Sequence, residues 1–99
     1  NDDVCPFLLS MFGHRNQEQR QLALKRFIHM AQGSATATRL LVAFMDTKSC
    51  SVKKMVVEAL SSVAPKGHAQ ARLTLLRHAR SSNHGVRQAI ALALPRIAF

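Results

Sequence analysis

The chain has no Trp, no Tyr and only three Pro among its 99 residues. Those gaps argue against an aromatic-rich β-sandwich. Ala, Leu, Arg, Gln and Met dominate instead, and these residues favour helix. Acids are scarce too: five Asp and Glu face fourteen Lys and Arg, a formal net charge of +9. So few carboxylates leave little material for paired-carboxylate acid–base chemistry. Cys5 and Cys50 are far apart and share no metal-ligand spacing, so free thiols in an intracellular protein are the expectation. No apolar run approaches the length that spans a bilayer, and no secretory leader is expected. The chain begins at Asn1 rather than Met, which reads as processing or as excision from something longer. There is no Gly-rich phosphate loop.

What is present suits one folded domain. A hydrophobic fraction of 47% is too high for a disordered chain, and a chain of this length buries about two-thirds of its unfolded surface. The charge is graded along the sequence. Residues 1–33 hold four bases and three acids, residues 34–66 five bases and two acids, and residues 67–99 five Arg with no acid. Such a gradient points to an acidic partner or nucleic acid near the C-terminal end. The competing reading is a solvated basic face, balanced by an acidic region elsewhere in a longer chain.

The strongest pattern is self-similarity. "QRQLALKRFIHMA" (Gln19–Ala31) aligns with Val52–Ala64 at a shift of 33 residues, and again with Val86–Ala98. Arg20, Lys53 and Arg87 then correspond; so do Ala23, Val56 and Ile90; so do Phe27, Leu60 and Leu94; so do Met30, Val63 and Ile97. The segments "PFLLSMFG", "RLLVAFMD" and "LTLLRHAR" each precede their partner by a short polar loop. A threefold period of 33–34 residues is a signature of stacked helical units. The pattern predicts six helices: about Val4–Phe12, capped by Asp2 or Asp3 with Pro6 tolerated in the first turn; Gln17–Gln32, begun by Asn16 and ended by Gly33; Ala35–Asp46, capped by Ser34; Val52–Ala64, capped by Ser51 and stopped by Pro65 and Gly67; His68–Arg80; and, after the turn "SSNHG", Val86–Ala98. Pro95 falls inside the last of these and should bend its final turn.

On the helix at Val52–Ala64, Met55, Ala59, Val52, Val63, Val56 and Leu60 fill an arc of about 140°. Val57 lies just beyond it, and Lys54, Glu58, Ser61 and Ser62 stand opposite. One hairpin cannot cover so broad an apolar face, but stacked neighbours can. Lys53 sits at the edge of that arc, with Arg20 and Arg87 at the same place in their units. A base recurring at a semi-buried position calls for a carboxylate or for helix C-terminal carbonyls. A structural ladder and a ligand-binding row both remain open for these three.

The string "LLVAFMDTKSCSVKKMVVEALSSVA" (Leu40–Ala64) resembles a HEAT repeat, and most of all the short HEAT-like class named after phycobilisome lyases. Asp46, Val52, Lys53, Ala59, Leu60 and Val63 carry the resemblance in this unit, and Val86, Arg87, Leu94 and Ile97 in the next. It implies an all-α solenoid of three stacked hairpins, at about 2–32, 34–64 and 67–98. It also implies that the Asp closing each first helix pairs with the bases of the second helices. Only Asp46 fills that place here; Gly13 and Arg80 stand at the other two. Lys53 or Arg87 would then share Asp46.

Such repeats serve many scaffolds. Some HEAT-like proteins hold a di-iron centre through His-Glu pairs, but this sequence has no His-Glu dipeptide. His78, His84 and Cys50 lie near equivalent turns without the tight local spacing of a Zn site. No catalytic residue, metal or cofactor is expected. In this class the second helices line the concave side, where Lys25, Lys54 and Arg96 offer exposed bases; Arg72, Arg77 and Arg80 make a second row. Leu92 and Phe99 stand where a closing repeat should be polar, so adjacent repeats or a partner should cover the last helix. The expected function is a non-catalytic intracellular scaffold, cytoplasmic or nuclear, that grips an acidic protein partner and no membrane. Phosphate contacts to nucleic acid by the same rows are the alternative, although no aromatic side chain stands among them for stacking.

Overall fold

The computed structural model describes residues 4–46, 49–64 and 68–97, with the side chains of Val4 and Cys5 outside that description. All regular structure there is helical: α1 Val4–Ser10 with a 3₁₀ turn at Met11–Gly13, α2 Gln17–Met30, α3 Ala35–Phe44, α4 Cys50–Val63, α5 Ala69–His78 and α6 His84–Ile97. No strand occurs among the described residues. The proposed roles of Asp2 or Asp3 as a cap, and of Pro65 and Gly67 as a stop, fall outside them.

Each helix start from α2 to α6 has a side-chain acceptor for an orphan backbone N–H. Asn16 accepts from Gln19 N at 3.2 Å, and Ser34 from Ala37 N at 3.1 Å, as the sequence predicts. Two starts differ from the prediction. α4 is capped by Ser49, which accepts from Val52 N at 3.3 Å, so Ser51 lies inside the helix. α6 starts at His84, because Asn83 Oδ1 accepts from Val86 N at 3.0 Å; His84 and Gly85 are helical rather than turn. α5 uses an imidazole, His68 Nδ1, which accepts from Ala71 N at 3.2 Å. α3 stops at Phe44, short of Asp46, and α6 runs through Pro95 to Ile97.

The helices pack as α1 on α2, α3 on α4 and α5 on α6. Neighbouring pairs then meet through α1–α3, α3–α5, α2–α4 and α4–α6. The result is two layers, α1–α3–α5 and α2–α4–α6. The smallest dimension, 18 Å, suits two helix layers with axes about 8–10 Å apart. Gly33 adopts φ +71°, a conformation natural to glycine, and its N–H reaches Val63 O at 2.9 Å. The α2–α3 connector thereby satisfies a terminal carbonyl of α4.

One core runs through the stack. Ala23, Val56 and Ile90 are 4%, 0% and 1% exposed, so the three repeat-equivalent positions all point inward. Phe12 and Phe27 meet edge-to-face with centroids 5.9 Å apart. α4 buries Val57 as well as the predicted arc, which puts it in the middle of the core. The buried hydroxyls of Thr38 and Thr74 donate to Ser34 O and Gln70 O, each at 2.8 Å. Each bond returns to the preceding helical turn, so no buried polar atom is stranded there.

Candidate interaction surface

The predicted bases divide between the two layers. In the α2–α4–α6 layer, Lys54 and Glu58 of α4 face Ala89, Leu92, Ala93 and Arg96 of α6 across a groove of about 510 Å³. The small side chains of Ala89 and Ala93, one helical turn apart, leave that space open. Lys54 lies over Gly85: a Cβ there would fall 3.0 Å from Lys54 Cδ and 3.2 Å from its Nζ. The missing side chain at Gly85 lets the lysine stem cross the start of α6. Leu92 is 71% exposed. Two cations and an open leucine therefore share one groove, with Glu58 as its acid.

Other predicted residues lie elsewhere. Lys25 is on α2, beside Phe7, Arg26, His29 and Met30. Arg77 lines a second groove, between α3 and α5, with Arg39, Asp46, Leu73 and Leu76. Arg72 is half-buried and Arg80 exposed. Phe99 lies outside the described residues.

Two of the three ladder bases find carbonyls; Arg20 is half-buried as expected, whereas Arg87 is exposed. Arg20 Nη1 donates to His14 O and Arg87 Nη1 to Ser81 O, each at 2.6 Å and each to the residue six positions upstream. The loops match further: His14 Nδ1 accepts from Asn16 N at 3.0 Å, and Ser81 Oγ accepts from Asn83 N at 3.2 Å. The pattern is an acceptor side chain, any residue, a capping residue and, four positions later, a base. "HRNQEQR" and "SSNHGVR" both show it, and "TKSCSVK" has the same order; Thr47 and Lys48 lie outside the described residues. Apolar periodicity alone does not reveal this order, because its defining members are polar. Asp46 reaches Arg77, at 4.0 Å and with both side chains largely exposed. Among the described residues that is the ion pair it makes, rather than one with Lys53 or Arg87.

No known protein family, curated protein or solved structure matches the chain.

His78 of α5 has an Nε2 that is buried without a hydrogen-bond partner among the described residues. Burial lowers its pKa below 6.5, the Lys53 and Arg77 charges lower it further, and Asp46 opposes them. The direction of the shift favours the neutral imidazole. Among the described residues, no three His, Cys, Asp or Glu side chains gather closely enough to hold a metal. Cys50 is an exposed free thiol. No helix among them is long and apolar enough to cross a membrane.

Proposed function

We propose that this chain is a HEAT-like helical-repeat module, three hairpins side by side, that binds an acidic segment of a protein partner and carries out no chemistry of its own. The two-layer order of helices and the shared Arg20 and Arg87 loop bonds support the repeat reading. The binding reading rests on one observation: Lys54, Arg96 and the open Leu92 line a single groove. A carboxylate-bearing segment with an apolar residue complements it, because charge steers the encounter and the leucine supplies contact area. The nucleic-acid reading has less support, since Arg77 faces Asp46 and Arg72 is half-buried.

A fluorescent peptide of alternating Glu and Leu serves as probe, read by anisotropy. Lys54→Glu with Arg96→Glu should weaken binding about tenfold or more, as expected for losing at least 1.4 kcal/mol. Unchanged affinity rejects the groove. Duplex DNA run in parallel separates the alternatives: tight binding with a steep salt slope, lost in Arg72→Ala/Arg77→Ala/Arg80→Ala, would favour nucleic acid.

A further inference from the structure

The repeat register allows each helix of the second layer to be compared position by position. On α4, Val52, Met55, Ala59 and Val63 form one stripe, and they are 7%, 8%, 0% and 1% exposed. The stripe faces the hairpin before it. Val52 Cγ2 lies 3.9 Å from where a Cβ on Gly13 would sit. Met55 lines the α2–α4 cleft beside Leu24, and the Val63 carbonyl accepts from Gly33. On α6 the matching residues are Val86, Ala89, Ala93 and Ile97; all are buried except Ala89, which is half-buried.

On α2 the same stripe reads Gln19, Leu22, Arg26 and Met30, and every member is exposed. Two of these positions, Gln19 and Arg26, are polar. The other two stay apolar: Leu22 and Met30 are 45% and 42% exposed. Phe7 of α1, 62% exposed, joins Met30 on one surface with Lys25, Arg26 and His29. No carboxylate lines that surface among the described residues. Glu18 lies toward the other end of α2, on the surface that Leu22 shares with Lys25.

We propose that this face of α2 is a second binding surface, separate from the α4–α6 groove, for an acidic amphipathic helix of a protein partner. Its shape is argued from the stack: the equivalent stripes of α4 and α6 each receive a helical hairpin. Its chemistry is argued from the rim. Lys25, Arg26 and His29 around Met30 call for carboxylates on the flank of the docked helix, while its apolar face meets Phe7, Leu22 and Met30. A second copy of this chain fits poorly, because each copy carries +9 and would meet a like-charged surface.

The test uses the whole chain, isotope-labelled, and a designed helical peptide with leucines on one face and glutamates on both flanks. Saturable binding is expected, with NMR shifts centred on Leu22 and Met30. Met30→Glu, Leu22→Glu and the charge reversal Lys25→Glu/Arg26→Glu should each weaken it about tenfold, the scale of one buried side chain or close charge pair. A peptide with lysine flanks should bind more weakly by at least as much, and Leu92→Glu should change nothing. Met30→Ala should retain wild-type helicity and still weaken binding, which separates lost contact from lost fold. The proposal is overturned by shifts that map to the α4–α6 groove, by affinity indifferent to Met30, or by the absence of saturation. It is also overturned if sedimentation shows self-association that Met30→Glu abolishes, or if duplex nucleic acid displaces the peptide from the stripe.

Discussion

Arg20 and Arg87 show how a single side chain can hold a connector in place. Each guanidinium reaches back to a carbonyl six residues upstream, where the chain has left one helix and not begun the next. A charged donor on a backbone carbonyl is stronger than a neutral pair, though exposure to water reduces its net worth. His78 poses the opposite problem: it is a titratable group whose charged form is unwelcome. Burial and the Lys53 and Arg77 charges outweigh Asp46 and hold its folded pKa below 6.5. The unfolded chain therefore takes up this proton more readily than the folded one. Stability is expected to fall as pH drops through 6.5 toward the folded pKa, and this contribution should level off below that value. Urea unfolding of wild type and His78→Gln between pH 7.5 and 5 isolates the effect by difference. A wild-type curve that loses no more stability than the variant would show that His78 contributes nothing to the slope.

Helix starts give the sharpest check on the repeat register. Asn16, Ser49 and Asn83 hold equivalent positions, and each accepts from the third residue of its helix. Asn16→Ala, Ser49→Ala and Asn83→Ala should each cost about 1 kcal/mol in urea unfolding. Ser51→Ala should cost little or nothing, because Ser51 is exposed within α4 and Ala is the better helix former. The reverse ranking of the two serines would move the start of α4 back to Ser51. The same comparison shows how far the sequence could be read. Six helices and the inward positions Ala23, Val56 and Ile90 were legible, because an apolar period near 3.6 leaves few alternatives. The start at Asn16 was legible because Asn16 is the one favoured capping residue in the polar run His14–Gln21. "SCS" was not, since it offers two hydroxyls two positions apart and only packing selects between them. His84 and Gly85 read as turn because glycine usually punctuates; here Gly85 makes room for Lys54 of another helix. The candidate groove was half legible. Lys54, Arg96 and Leu92 stand out as exposed, but their meeting, and the presence of Glu58 beside them, come from the α4–α6 contact.

Among the described residues, the stripe on α4 is sealed while the equivalent stripe on α2 is open, and this asymmetry can be measured. Met30, Val63 and Ile97 are equivalent in sequence, yet they are 42%, 1% and 0% exposed. Total stability for a domain of this size is about 5–15 kcal/mol, so one core cavity removes a large share of it. Ile97→Ala should cost about 2–5 kcal/mol, because the pocket it leaves can collapse only partly. Val63→Ala should cost about 1.5–3 kcal/mol, reflecting two fewer buried methyls and the void they leave. Met30→Ala, at a solvent-facing position, should cost about 1 kcal/mol or less. Chemical denaturation monitored by far-UV circular dichroism ranks the three. If Met30→Ala proved as damaging as Ile97→Ala, something would already cover α2 in the isolated chain, and the stripe could not be open to a partner. With the expected ranking, a substitution nearly silent in folding is the one that should weaken peptide binding about tenfold. That divergence is the mark of a surface kept apolar for contact rather than for the core.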